Sequence, residues 1–318
     1  MNRENPTLVD ALTLGVIQTT LDAKLAWSSA SDEPKISAAE DSRAWHEIRR
    51  AMRALADHDD QPRIILLPEL SLPRTRLDDF EQLVCSMNAI AIVGVDYRLN
   101  HLTKSAKNEG LVIVPRNFWK RRPSRYAARV WFGKRDPAPA EAAGFKKYTP
   151  PWTFEADPNV YVFDAGPYGR IGVSICYDFM DIERALLYRG RVHHLFVIAY
   201  NRDVKLFESL AVSLSRTVFC NVVVCNTGHF GGSLVVTPYW EAFRRIGYSV
   251  DGGQLFTAQC VPLRVRDLDA AIHGSDTKPD ATYKHLPPGF TASIATTSVA
   301  TEGPSPVTIP LFNETEGR

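Results

Sequence analysis

The chain has 318 residues, 45% of them hydrophobic, which is enough for one large α/β domain or two small ones. Its 37 basic and 36 acidic residues give a formal net charge of +1. This balance argues against a nucleic-acid scaffold and a polybasic membrane binder. No apolar run approaches the length of a membrane span, and the polar N-terminus lacks a signal core. We therefore expect a cytoplasmic protein with neither nucleic acid nor membrane as partner.

Hydrophobic periodicity predicts alternating strands and helices in the first part of the chain. We expect strands at 12–18, 63–67, 89–97 and 110–115 and helices at 38–58 and 77–88. Residues 116–157 follow, rich in Arg, Lys and Pro, with one predicted strand at 127–133. An irregular segment of this length is too long for a plain connection and is expected to be functional.

Alternation resumes in the second part of the chain. We expect strands at 159–164, 170–175, 194–199, 221–225, 233–238, 254–260 and 261–265, with helices at 180–188 and 204–218. The alternation predicts an α/β fold with helices covering sheets. We expect one domain at 1–270 and an extended tail at 271–318 that is disordered or stabilises an oligomer.

One of the five cysteines occupies a position suited to chemistry. Cys176 ends the predicted strand at 170–175 and precedes a helix, so backbone N–H groups of the turn could stabilise a thiolate or an oxyanion. A buried core cysteine is the competing interpretation. The odd number of cysteines and the lack of a C-x-x-C pair favour reduced thiols over disulfides or a zinc site.

A cysteine nucleophile needs a base. Glu69 follows the apolar run 64–68, so it is expected at the end of a buried strand, where burial can bring its pKa toward neutrality. An ordinary loop ion pair is the alternative interpretation. Among the eight histidines, His229 comes closest to a suitable position, and a cysteine–histidine site stays open at this point.

The chain contains, in order, Leu67-Pro68-Glu69, a lysine, Ile175-Cys176-Tyr177-Asp178 and then Glu183. This order resembles that of the nitrilase superfamily of carbon–nitrogen hydrolases. The resemblance runs from about residue 12 to residue 265. It implies an α-β-β-α four-layer sandwich and a Glu-Lys-Cys triad joined by a second glutamate.

The same resemblance suggests the remaining site residues. Lys134, at the end of the strand at 127–133, is the expected triad lysine, with Lys120 as the alternative. Glu141 would be the second glutamate. Tyr177, through its backbone N–H, and Asn201 are expected to contact the oxyanion or substrate. Residues 180–183 lack the arginine that the family often carries there, which weakens a carbamoyl-amino-acid substrate.

The implied activity is hydrolysis of a small-molecule amide, nitrile or carbamoyl compound through a Cys176 thioester. The resemblance implies no metal or organic cofactor and favours a homodimer or higher homo-oligomer. Two alternatives stay open: an acyltransferase on the same fold, and a catalytically idle family member that serves as a binding or regulatory subunit.

Overall fold

The computed structural model describes residues 7–28, 32–274, 282–293 and 305–311. Their strands, in chain order, are β1 (Ala11–Gln18), β2 (Ile64–Leu72), β3 (Ile90–Asn100), β4 (Ser105–Pro115), β5 (Ala127–Gly133), β6 (Thr153–Phe154), β7 (Tyr161–Asp164), β8 (Arg170–Ile175), β9 (His194–Ala199), β10 (Asn221–Asn226), β11 (Ser233–Val236), β12 (Ile246–Val250), β13 (Thr257–Arg264) and β14 (Val307–Pro310). The α-helices are α1 (Ala23–Ala26), α2 (Ala38–Ala56), α3 (Leu77–Met87), α4 (Pro139–Phe145), α5 (Ile182–Tyr188), α6 (Val204–Leu214) and α7 (Arg266–Ile272).

The strands form two seven-stranded sheets. The first sheet has the order β13-β1-β2-β3-β4-β5, with β6 beside β4, and the second has the order β12-β11-β10-β9-β8-β7-β14. In the second sheet β8, β9 and β10 are parallel, so their carboxyl ends meet at one edge. That edge is where a ligand site is expected in an α/β fold.

The two sheets pack face to face, and helices cover their outer surfaces. Alternate β1 residues, such as Leu14 and Val16, join the core between the sheets, whereas Ile17 faces α2 and α3 on the outside. Burial on both faces explains why β2 begins with the continuous apolar run 64–67. This is the predicted α-β-β-α sandwich, and the fold prediction is confirmed.

Most predicted elements occur within a few residues of their expected bounds. β5, β8 and β9 match the predicted ranges in full, whereas the strands predicted at 254–260 and 261–265 are the single strand β13. The helix predicted at 204–218 is α6 followed by a π-helical turn, Ser215–Phe219.

Six elements were not predicted. α1 and β6 are too short to show a period, α4 lies in the segment expected to be irregular, and β12 is largely exposed. α7 spans residue 270, and β14 pairs in parallel with β7. The division into a domain and a tail at residue 270 stays a prediction. Of the helices in the described ranges, none combines the length and apolar character needed to cross a membrane.

Candidate active site

Cys176 lies at a sharp turn between β8 and a short 3-10 helix, Cys176–Met180. Its φ of 46° is in the left-handed region, which a residue with a Cβ seldom adopts. Such strain is typical of functional sites, where surrounding structure holds an unfavourable backbone in place. The side chain is only 6% exposed. The turn therefore presents the thiol to the interior of the site.

Glu69 belongs to an irregular part of β2. The register with β3 shifts between Leu67 and Leu72, and Leu70 has a φ of 57°. The neighbouring strand carries Gly94, where an added Cβ would lie 2.3 Å from the Glu69 Cα. Glycine therefore lets β3 approach the irregular turn. The Glu69 side chain is 3% exposed, so the carboxylate predicted to end a buried strand is itself buried.

Lys134 follows β5 and connects two carboxylates. Its backbone N–H donates to the Asn108 carbonyl at 2.9 Å, which extends the pairing of β4 with β5. Its Nζ donates to Glu69 Oε1 at 2.8 Å and to Glu141 Oε2 at 2.7 Å. Glu141 lies in the first turn of α4 and also accepts from the Ala138 N–H at 3.1 Å. Lys134 is 1% exposed.

Three groups outside the predicted catalytic set complete the hydrogen bonding. Asn108 Nδ2 donates to Glu69 Oε1 and to Glu141 Oε1, both at 2.8 Å. The Tyr97 hydroxyl donates to Glu141 Oε1 at 3.0 Å, and the Tyr200 backbone N–H donates to Glu69 Oε2 at 2.9 Å. Burial and the two carboxylates raise the pKa of Tyr97 well above its usual value, so its hydroxyl is a neutral donor.

The charges in this site determine which groups are ionised. Burial alone would lower the pKa of Lys134, but Glu69 and Glu141 raise it well above its usual range. Burial opposes ionisation of Glu141, yet Lys134 and hydrogen bonds from Asn108 and the Ala138 N–H hold its pKa below the usual value. Burial and then the Glu69 charge raise the pKa of Cys176 well above its usual value, despite Lys134 and the Tyr200 N–H. These surroundings therefore favour the neutral thiol over the thiolate.

Asp178 connects the cysteine turn to the lysine loop. Its carboxylate accepts the backbone N–H groups of Arg135, at 2.8 Å, and Asp136, at 3.0 Å. Arg184 lies 3.8 Å from the same carboxylate. Burial raises the pKa of Asp178, whereas the donors stabilise its charged form. These contacts fix the segment after Lys134 against the segment after Cys176.

Lys120 lies away from this cluster. It is exposed in the turn between β4 and β5. The pairing of Pro115 with Ala127 and of Glu109 with Gly133 places this turn and Lys134 at opposite ends of the same hairpin. Six strand residues correspond to about 20 Å. The structure therefore brings together Glu69, Lys134, Glu141 and Cys176, and leaves Lys120 outside.

Two further predicted residues lie beside the cluster. Tyr177 is in the first turn of the 3-10 helix, where backbone N–H groups lack helical partners. Asn201 follows β9, but its side chain donates to the Asp203 carbonyl and accepts the Asp203 N–H, each at 3.1 Å. The Asn201 side chain therefore stabilises its own loop, and its expected substrate contact stays a prediction.

The His229 ring contacts a glutamine side chain and a tyrosine ring. Its Nδ1 lies 2.8 Å from Gln254 Nε2, and its ring stacks on Tyr200 at 6.3 Å. The charged groups that act on the Cys176 thiol are Glu69 and Lys134. Within the described ranges, no group of three or more His, Cys, Asp or Glu residues is arranged to hold a metal ion.

Comparisons with known proteins agree on the fold. No family model matches the chain, and no curated protein sequence matches it. Among solved structures, Saccharomyces cerevisiae Nit3, described as a member of branch 10 of the nitrilase superfamily, is 15% identical, with a TM-score of 0.55 over 86% of this chain and 97% of Nit3. The NitFhit protein of C. elegans is 16% identical, with a TM-score of 0.60 over 88% of this chain and 68% of NitFhit.

A third similar structure is a mutant amidase from Nesterenkonia sp. AN1. It is 12% identical, with a TM-score of 0.55 over 80% of this chain and 90% of the amidase. In that structure the acetamide moiety of fluoroacetamide is covalently attached to the active-site cysteine. At these identities the likeness establishes the fold alone, which is the fold of the nitrilase superfamily.

Proposed function

We propose that this chain, which has the nitrilase fold, is a carbon–nitrogen hydrolase that cleaves a non-peptide amide, nitrile or carbamoyl group through a thioester on Cys176. The observation that carries the proposal is the buried contact of Glu69 with Lys134, within interaction range of the Cys176 thiol. Burying two carboxylates and an ammonium costs free energy, and chemistry at the thiol accounts for their retention.

Glu69 is the better candidate for the base than Glu141. The two Glu141 oxygens accept from four donors: Lys134, Asn108, Tyr97 and Ala138. Because a carboxylate offers about four lone-pair sites, Glu141 has no free site for a proton. Glu69 accepts from Lys134, Asn108 and the Tyr200 N–H. Its remaining capacity faces the Cys176 thiol.

The mechanism for an amide follows from this division of roles. Glu69 takes the thiol proton as Sγ forms a bond to the carbonyl carbon. Lys134 and the Tyr177 backbone N–H stabilise the oxyanion. The C–N bond then breaks, and the amine leaves with the proton held by Glu69. Water attacks the thioester and gives a proton to Glu69; the C–S bond then breaks, and Glu69 returns that proton to Cys176, which departs as the thiol. Glu141 orients Lys134 and keeps it charged.

Intact mass spectrometry after brief incubation with a panel of amides, nitriles and carbamoyl compounds tests the proposal. We expect one panel class to add an acyl mass to the wild type, mapped to Cys176, and to turn over. Cys176→Ala should show neither adduct nor turnover while its circular dichroism is unchanged. Cys225→Ala is a matched control, because that thiol is fully buried and donates to the Ile17 carbonyl.

Two results would overturn the proposal. One is an adduct on another cysteine while Cys176 remains unmodified. The other is a wild type that forms no adduct with any panel member although iodoacetamide reaches Cys176; that result favours an idle, binding family member. An adduct that transfers to an added amine and not to water would instead identify an acyltransferase.

We also propose a cytoplasmic homo-oligomer. The surface beyond the site carries exposed apolar side chains: Met180 is 41% exposed, Ile182 71% and Leu186 57%. Such exposed apolar surface is typical of interfaces. Sedimentation velocity should show a dimer or larger assembly that Ile182→Glu dissociates; a monomeric wild type would contradict this.

The free cysteines suit a reducing compartment, which cell fractionation can test.

A further inference from the structure

Asn108 occupies a central position between the two carboxylates. It lies near the start of β4 and is completely buried. The single Nδ2 atom donates one hydrogen bond to Glu69 Oε1 and one to Glu141 Oε1, each at 2.8 Å. The backbone carbonyl of Asn108 also accepts the backbone N–H of Lys134 at 2.9 Å. This one residue therefore contacts all three charged members of the cluster.

The orientation of the Asn108 amide is fixed by charge. Rotating the amide would place Oδ1, which can only accept, against two carboxylates. The orientation has a cost, because none of the described residues donates to Asn108 Oδ1, which is buried. A buried acceptor without a partner is unfavourable by itself. The fold retains this unfavourable acceptor, and the two hydrogen bonds to the carboxylates offset its free-energy cost.

We propose that Asn108 is a positioning residue, which holds Glu69 and Glu141 at a fixed separation around Lys134 and donates to the Glu69 carboxylate that serves as the base for Cys176. The proposal rests on the assignment of Glu69 as that base. The charged and titratable groups around Glu69 include Lys134 after β5, Cys176 after β8 and Tyr97 on β3, and also Glu141 on α4, which shares the Lys134 and Asn108 donors with it. Lys134 donates to both Glu69 and Glu141. Asn108 therefore supplies further hydrogen bonds that stabilise the two buried carboxyl groups.

The pH dependence of Cys176 alkylation by iodoacetamide is a readout that needs no substrate. Asn108→Leu keeps four side-chain heavy atoms branched at Cγ and removes both donated hydrogen bonds. A hydrogen bond donated to a carboxylate favours its charged form, so its loss should move the acidic limb of the alkylation rate to higher pH. Asn108→Ser retains one hydroxyl donor and should shift the limb less. Peptide mapping assigns the modification to Cys176.

Tyr97→Phe is the matched control. It removes a buried donor from Glu141 and leaves the contacts of Glu69 unchanged, so the limb should stay where it is in the wild type, whatever happens to the rate. An unmoved limb in folded Asn108→Leu, or an equal shift in Tyr97→Phe, would overturn the proposal. If Asn108→Leu does not fold, Asn108→Ser decides by the same criterion. Failure of the hydrolase proposal itself would appear separately, as no acyl adduct on the wild type.

Discussion

Two buried polar clusters lie at opposite ends of the parallel strands β8, β9 and β10. The first, at the carboxyl ends, is the charged cluster of Glu69, Lys134, Glu141 and Asn108. The second, at the amino ends, is a histidine cluster of His194, Asn221 and Thr237. Both clusters are buried, and they differ in charge. That difference supports the charged cluster as the proposed catalytic site.

The histidine cluster is neutral and fully paired. His194 Nε2 lies 3.1 Å from the Tyr168 carbonyl, and His194 Nδ1 lies 3.1 Å from Asn221 Nδ2. Because the carbonyl only accepts and the amide nitrogen only donates, His194 carries its proton on Nε2. Asn221 Nδ2 also donates to the Arg264 carbonyl on the first sheet, and Asn221 Oδ1 accepts from Thr237. Burial lowers the pKa of His194 to about 3.

This comparison explains why the positions of histidines in the sequence do not predict the site. A satisfied neutral network contributes to packing of the two sheets and leaves no group available to move a proton. The charged cluster instead places a lysine and two carboxyl side chains next to a thiol, and it tolerates the unpaired Asn108 Oδ1. We therefore expect substitutions at the carboxyl ends to reduce activity and those at the amino ends to reduce stability.

Glu69→Gln should have the largest effect on activity. The variant keeps the shape of the side chain and cannot accept a proton, so kcat should fall roughly a thousandfold or more, in the range for loss of a general base. Rapid-quench measurement should show that both formation and breakdown of the thioester slow down. Glu69→Asp should retain partial activity. Fast acylation by Glu69→Gln with slow hydrolysis would mean that Cys176 is already a thiolate before substrate binds.

Lys134→Met should have the next largest effect. Removing the ammonium leaves two buried carboxylates uncompensated and withdraws an oxyanion donor, so kcat should fall by about a hundredfold, the usual cost of one such donor. Lys120→Met is the matched control, since that side chain is exposed on the far turn. Steady-state kinetics of both variants should show kcat within twofold of wild type for Lys120→Met. The reverse ranking would assign the triad lysine to residue 120.

His194→Gln should have the smallest effect on turnover and a measurable effect on stability. Unfolded histidine takes up a proton near pH 6.5, whereas folded His194 does so only at about pH 3. Between these values the unfolded chain binds more protons, so this group makes stability fall as pH falls, by up to about 1.4 kcal/mol per pH unit.

Urea unfolding of wild type and His194→Gln at pH 7 and pH 5 measures that contribution. The wild type should lose more stability between the two pH values than the variant does, because only the wild type carries the titrating group. At pH 7 the variant should be less stable by about 1–3 kcal/mol from imperfect pairing. A variant with wild-type stability at both pH values but lost turnover would contradict the assignment of stability to the histidine cluster and of activity to the charged cluster.

The sequence allowed prediction of the fold and of candidate residues that follow apolar runs, although β2 continues past Glu69 to Leu72. Glu69, Lys134 and Cys176 could be found because each comes directly after an apolar run, in a familiar order. Asn108 could not, since a polar residue within a strand gives no sign of its neighbours until the pairing of β4 with β5 is known. The Tyr200 contribution is a backbone N–H, which any residue could supply. The choice between Lys134 and Lys120 also depended on strand register.

Strand pairing over long distances in the chain has a consequence for how this protein folds. β1 pairs with β13, with Ala11 opposite Arg264, and β7 pairs with β14, with Tyr161 opposite Val307. During synthesis both earlier strands leave the ribosome long before their partners exist. Loops of this length close slowly, and unpaired strand edges can associate with other chains meanwhile. Completion of the second sheet must therefore wait until Pro310 has been made.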